Sequence, residues 1–125
     1  MIYNPEEKSR FETVLAVFQD YIFSHPSFDI LYSPKSGYHH LTVDENDNSD
    51  FFPEPIHSAD HLFELIAHEI SYDVRDLFLC GEHLTVNLYP AEIDECRRRL
   101  VPYIERLPEY MREHFRTLME KTLEQ

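Results

Sequence analysis

The chain has 125 residues, of which 42% are hydrophobic and 14% aromatic, and it carries a net charge of −13. Those values describe one globular domain over residues 1–125 with an aromatic-rich core, and they exclude a disordered polyelectrolyte. The charge is concentrated. Residues 44–82 hold eleven Asp and Glu against Arg75 alone, so the clustered cations that phosphate backbones and anionic lipid surfaces require are missing.

In chain order, Asn4-Pro5-Glu6-Glu7 starts a helix. Asn caps, Pro fits the first turn, and the two acids suit the positive end of the helix dipole. Phe11, Val14, Leu15, Phe18, Tyr21 and Ile22 recur at helical spacing, which predicts one amphipathic helix over 5–24, stopped by His25-Pro26. FDILYS (28–33) and GYHHLTV (37–43) read as a β-hairpin around Ser-Pro-Lys-Ser-Gly. Alternation groups Tyr38, His40 and Thr42 on one face and His39, Leu41 and Val43 on the other, with the second, more apolar set expected to face the core.

DENDNSD (44–50) is expected to be an exposed turn, and FFPEPIH (51–57), with its two prolines, extended and irregular. Ser58 caps a helix over 59–79 whose core stripe is Phe63, Ile66, Ile70, Val74 and Leu77. HLTVNLY (83–89) alternates like a third strand. Pro90 opens a helix with Ile93, Cys96, Leu100 and Ile104 inward, which Pro102 is expected to kink or split. Pro108 opens a last helix carrying Met111, Phe115, Leu118, Met119 and Thr122. The order α-β-β-α-β-α-α predicts a small α+β domain: a short antiparallel sheet, hairpin plus third strand, packed against four helices.

The sharpest cluster of chemistry is HSADHLFELIAHE. His57, His61, Glu64 and His68 follow one another at steps of four, three and four. Measured from His61, Glu64 lies at about 300°, Arg75 at about 320° and His68 at about 340° around the helix, the side opposite the core stripe. Imidazoles and a carboxylate at that spacing can hold a divalent metal when another element completes the set. His39, His40, His83 and Asp73 are the candidates to do so. His57 joins only if the helix begins a turn early, and Arg75 on the same side opposes a cation. The bland alternative is a solvated polar face. His68-Glu69 is not followed by the second His of a zinc-protease helix.

Other motifs fall short. Asp44, Asn46 and Asn48 alternate like a calcium loop, but Ser49 and Pro55 stand where Gly and Glu are needed. The only glycines are Gly37 and Gly81, too few for a phosphate-cradling loop or a nucleophile elbow. Cys80 and Cys96 form no CxxC motif, and Cys96 falls on an apolar stripe. Arg97-Arg98-Arg99 is expected to neutralise itself through Asp94–Arg98 and Glu95–Arg99 pairs.

The functional expectation is therefore a small acidic protein-interaction domain without catalytic activity. It would be cytoplasmic, without a membrane span, and would meet a basic partner protein through Asp60, Glu64, Asp73 and Asp76. Glu69, Asp73 and Asp76 lie on a different side of the helix from Glu64, which dilutes that surface. The alternatives are a metal-binding protein or metal-dependent enzyme built on His57, His61, Glu64 and His68, and an inhibitor that imitates nucleic acid. A hairpin edge left open would also suit a homodimer.

Overall fold

A computed structural model describes residues 3–42, 53–79 and 89–124. Among them are five helices and one three-stranded antiparallel sheet, an α+β fold. The chain divides into two compact units, residues 1–62 and 63–125. No helix among the described residues is long and apolar enough to cross a membrane.

The first unit begins as its sequence dictates. Helix α1 (Pro5–Val17) is capped by Asn4, whose side chain accepts the Glu7 N–H at 2.8 Å, with Pro5 in its first turn. The single helix expected over 5–24 is interrupted at Phe18, and a short α2 (Gln19–Ser24) follows. Phe18 is fully buried, and hydrogen bonds from its own N–H to Val14 and from Ile22 N–H to Phe18 bridge the break. The stop is where Pro26 requires it, since His25 has extended angles (φ −79°, ψ 128°).

Strands β1 (Phe28–Ser33) and β2 (Gly37–Thr42) form the hairpin, with Phe28 opposite Thr42 and Ser33 opposite Gly37. The turn between them closes from Ser36 N–H to the Ser33 carbonyl, and Gly37 exits at φ 83°, a conformation that penalises any residue with a Cβ. The third strand is β3 (Glu54–Pro55), antiparallel to β2. Proline donates nothing to a ladder, so its place is an edge, and the bond onward from this edge is Ile56 N–H to the Tyr38 carbonyl. The strand expected at 83–89 and the turn expected at 44–50 lie outside the described residues, Tyr89 excepted.

Both faces of β2 are covered. Leu41, of the set expected to face the core, is buried, and Val43 lies outside the described residues. Half-buried Tyr38 and His40, on the other face, also meet aromatic partners: Tyr38 stacks on Phe11 of α1 at 4.5 Å, and the His40 ring lies tilted against Phe28 at 4.7 Å.

Helix α3 (Ala59–Leu79) starts in the first unit. Ser58 caps it as expected, its hydroxyl accepting the His61 N–H at 3.0 Å. A second cap comes from α1: Glu7 Oε1 accepts the Ala59 N–H at 2.6 Å. Glu7 Oε2 accepts from Arg10, which also reaches Asp60 at 3.2 Å. One carboxylate thus satisfies an orphan donor at the start of α3 and sits at the positive end of its dipole.

In the second unit, α3 packs Phe63 against Phe115 of α5 (Glu109–Leu123) with ring centroids 5.2 Å apart. Helix α4 (Pro90–Glu105) is not split at Pro102, which lies inside it. Pro102 and Arg98, whose carbonyl loses its donor, are both exposed, so water can replace the missing bond. Arg97 joins α4 to α5 by a fork on Glu120, with bonds of 2.7–2.9 Å.

Removing the second cap tests the first unit. Glu7→Ala takes away a charge-assisted acceptor and the anchor of Arg10, and should cost about 1–3 kcal/mol in denaturant unfolding. Glu6→Ala, one residue earlier and exposed, should be near neutral.

Candidate functional site

The histidine cluster is built by the turn that precedes α3. His57 was expected to join His61 only if the helix started early. Instead the extended residue before the cap folds over the first turn: His57 N–H donates to His61 Nδ1 at 3.0 Å, and the two rings stack at 5.1 Å. A backbone N–H can only donate, so His61 Nδ1 is bare and a neutral His61 carries its proton on Nε2. For Nε2 to hold a metal, this bond has to be given up.

Glu64 is half-buried and His68 exposed, with two helical turns, about 10 Å, between His61 and His68 along the axis. Among the described residues, no three of His57, His61, Glu64 and His68 bring donor atoms within 4.8 Å of one another. His39 points Nδ1 at the Gly37 carbonyl and His40 lies against Phe28, so both serve the hairpin. Cys80 and His83 lie outside the described residues.

Two residues of α3 sit otherwise than expected. Arg75, placed in solution by its helical angle, is only 7% exposed, and Leu77, placed in the core, is 62% exposed. One turn before Arg75, Ser71 Oγ meets Cys96 Sγ of α4 at 3.9 Å. Leu77 lies past Val74, the last buried residue of the core stripe.

The four acids expected to meet a partner do not form one surface. Asp60 is half-buried and paired with Arg10. Asp73 and Asp76 lie about 120–180° around the helix from Asp60 and Glu64. Asp76 is exposed and Asp73 half-buried.

The arginine run is self-neutralised, with one change of partners. Glu95 takes Arg98 and, at 3.0 Å, Arg99, while Asp94 takes Arg97 rather than Arg98. Hydrogen bonds from Arg98 first and Arg99 second hold the Glu95 carboxyl down at about 2. Glu92 does not belong to this surface. It is fully buried, its Oε1 accepts the Tyr89 N–H at 2.7 Å, and its Oε2 has no hydrogen-bond partner among the described residues. Cys96 is buried, and that burial pushes its thiol up, against the low values of reactive thiolates.

Sequence periodicity missed the concave site of the first unit. A groove of about 350 Å3 opens where α1 and α2 meet the sheet, with Leu15, Ile22, Phe23, Ile30, Tyr38, Glu12 and Asp29 among its lining residues. Phe23 is 91% exposed. Burial, and secondly the charge of Glu12, raise the Tyr38 phenol above its ordinary value, so it stays a neutral donor. The signal was present in the sequence: Phe23 is a large aromatic residue standing off the apolar stripe of its helix.

Comparison with protein-family models, curated proteins and solved structures returns no match.

Two measurements follow. Long-range nitrogen–proton NMR should show His61 as the Nε2–H tautomer, with zinc, nickel and iron leaving both that pattern and the melting temperature unchanged; a shift on adding one of them would restore the metal reading. The Glu95 carboxyl should titrate near 2 in carbon NMR, and Arg98→Gln should move it up towards 4.5. Because the folded value is the lower one, the Glu95 contribution to stability is complete above about 4.5 and fades as pH falls through 2.

Proposed function

We propose that this chain is a small acidic protein-interaction domain without catalytic activity that works in the cytoplasm and recognises a basic partner protein. The observation that carries the reading is the fate of the cations. Arg75, the one Lys or Arg between residues 44 and 82, is buried. The surface contributed by the described part of this segment therefore presents acids and no exposed Lys or Arg.

Elsewhere six of the bases form ion pairs within the chain. Lys8 pairs with Glu12, Arg10 with Glu7 and Asp60, and Arg116 with Glu113. Arg97 pairs with Asp94 and Glu120, and Arg98 and Arg99 share Glu95. Each exposed pair is worth little in stability, but together they cancel cations locally and leave a negative field that attracts and orients a basic protein.

Asp73→Lys with Asp76→Lys reverses one flank of α3 without touching the Asp60–Arg10 pair. Quantified affinity capture from native lysate should recover basic proteins with the natural chain, in a salt-sensitive manner, and about tenfold less with the variant. Equal recovery by the two chains would remove this reading.

A further inference from the structure

We infer that the groove between α1, α2 and β1 is a docking site for a short segment of a partner protein that carries an aliphatic or aromatic anchor beside Lys or Arg. The inference rests on the interaction reading above and moves the point of contact from α3 to the first unit.

The argument starts from shape. The groove, about 350 Å3, lies at the small end of ligand cavities. That suits one or two side chains better than a large cofactor. Its lining includes Leu15 and Ile22 from the helices and Ile30 and Tyr38 from the sheet. Tyr38 adds a neutral hydroxyl, so a partly apolar guest finds both packing and a donor.

Phe23 is the second observation. An isolated exposed apolar side chain is ordinary. This one lines the groove itself, and on β1 Leu31 and Tyr32 are also exposed. A large aromatic side chain beside a pocket is the usual composition of a binding hot spot.

Charge chooses the occupant. Glu12 and Asp29 are the carboxylates among the lining residues, and no Lys or Arg is among them. Asp29 is exposed, and its carboxylate accepts the Ile30 N–H at 2.8 Å, which covers a donor on β1, an edge strand among the described residues. An added strand would have to displace that bond, so recognition falls to side chains. Glu12 is exposed and meets Lys8 only at 3.8 Å. A second copy of this chain would bring a net charge of −13 and the same two acids to the contact, and like charges across an interface are costly. A cationic guest meets neither objection.

The probe is a fluorescein-labelled peptide alternating lysine and leucine, compared by anisotropy with a peptide of equal charge in which serine replaces leucine. The leucine peptide should bind about tenfold more tightly. Phe23→Ala should weaken it by about tenfold. The pair Glu12→Gln and Asp29→Asn should weaken it and flatten its salt dependence, with the Ile30 N–H still satisfied by Asn. Shift changes in the amide spectrum should centre on Leu15, Ile22 and Ile30.

Equal binding of the two peptides would overturn the groove. So would binding that survives Phe23→Ala yet is lost with Asp73→Asn and Asp76→Asn, which would leave the acidic surface of α3 standing as the site. Absence of binding by either peptide would remove both readings. A Phe23-dependent dimer in sedimentation would show that the occupant is a second copy and overturn the proposed partner. Phe23 is exposed, so its truncation leaves the fold intact as the reference.

Discussion

The arrangement of the first unit depends on the carboxylate of Glu7. It sits in the first turn of α1, where the dipole of that helix already favours an acid, and it reaches across 52 positions of sequence to the N–H of Ala59. An uncapped helix start leaves several donors unpaired, and a half-buried one cannot leave all of them to water. Ser58 satisfies the donor at His61 and Glu7 the one at Ala59. Arg10 then keeps Glu7 and Asp60 from repelling each other. With that junction closed, Ile56 is held beside Tyr38 and under the Tyr3 hydroxyl, and the edge strand β3 has its register. The stacking of His57 on His61 follows from it, because the turn that carries His57 enters α3 at a fixed angle.

That junction also changes what the acids of the middle segment mean. Read as a string, residues 44–82 are a block of negative charge with one arginine. In the folded chain, Asp60 is spent on Arg10, Glu64 and Asp73 are half-buried, and Arg75 is withdrawn from the surface. The remaining field is weaker than the count suggests and is split between two flanks of α3. A flat basic partner cannot meet both flanks at once. Charge of this kind raises encounter rates and steers orientation, whereas affinity comes from a desolvated anchor.

The parts of the fold that were legible in the sequence are those decided within a few residues. Asn4 and Ser58 cap helices because their oxygens reach a nearby N–H, Pro26 ends a helix through the angles of His25, and Pro34 with Gly37 makes a turn. Cys96 was correctly placed in the core by periodicity. What was not legible involves a second element. Helical angles placed Arg75 in water, whereas the folded chain buries it. Pro102 does not split α4, and both it and Arg98, the residue whose carbonyl loses its donor, are exposed. The Glu7–Ala59 contact has no local signature at all. The histidine spacing was legible, but the proton on His61 was not. It is set by a backbone N–H that comes from outside the helix.

The same distinction bears on where recognition is located. Acid residues on a helix are cheap in evolution and thermodynamics, since solvation alone accounts for them. An exposed Phe23 is not accounted for in that way. It contributes no buried area to its own fold, and α2 (Gln19–Ser24) has no buried residue of its own. A six-residue helix is too short to stand by its own hydrogen bonds. It persists through the bonds that join it to Phe18 and through Tyr21, whose ring meets His25 at 5.3 Å and Phe28 at 6.5 Å. The sequence of α2 therefore spends Tyr21 on holding the helix against the hairpin and leaves Phe23 facing water beside a cavity. The exposed ring of Phe23 beside the groove, with Glu12 and Asp29 among the lining residues, is the feature that the proposed cationic, apolar-anchored guest would cover.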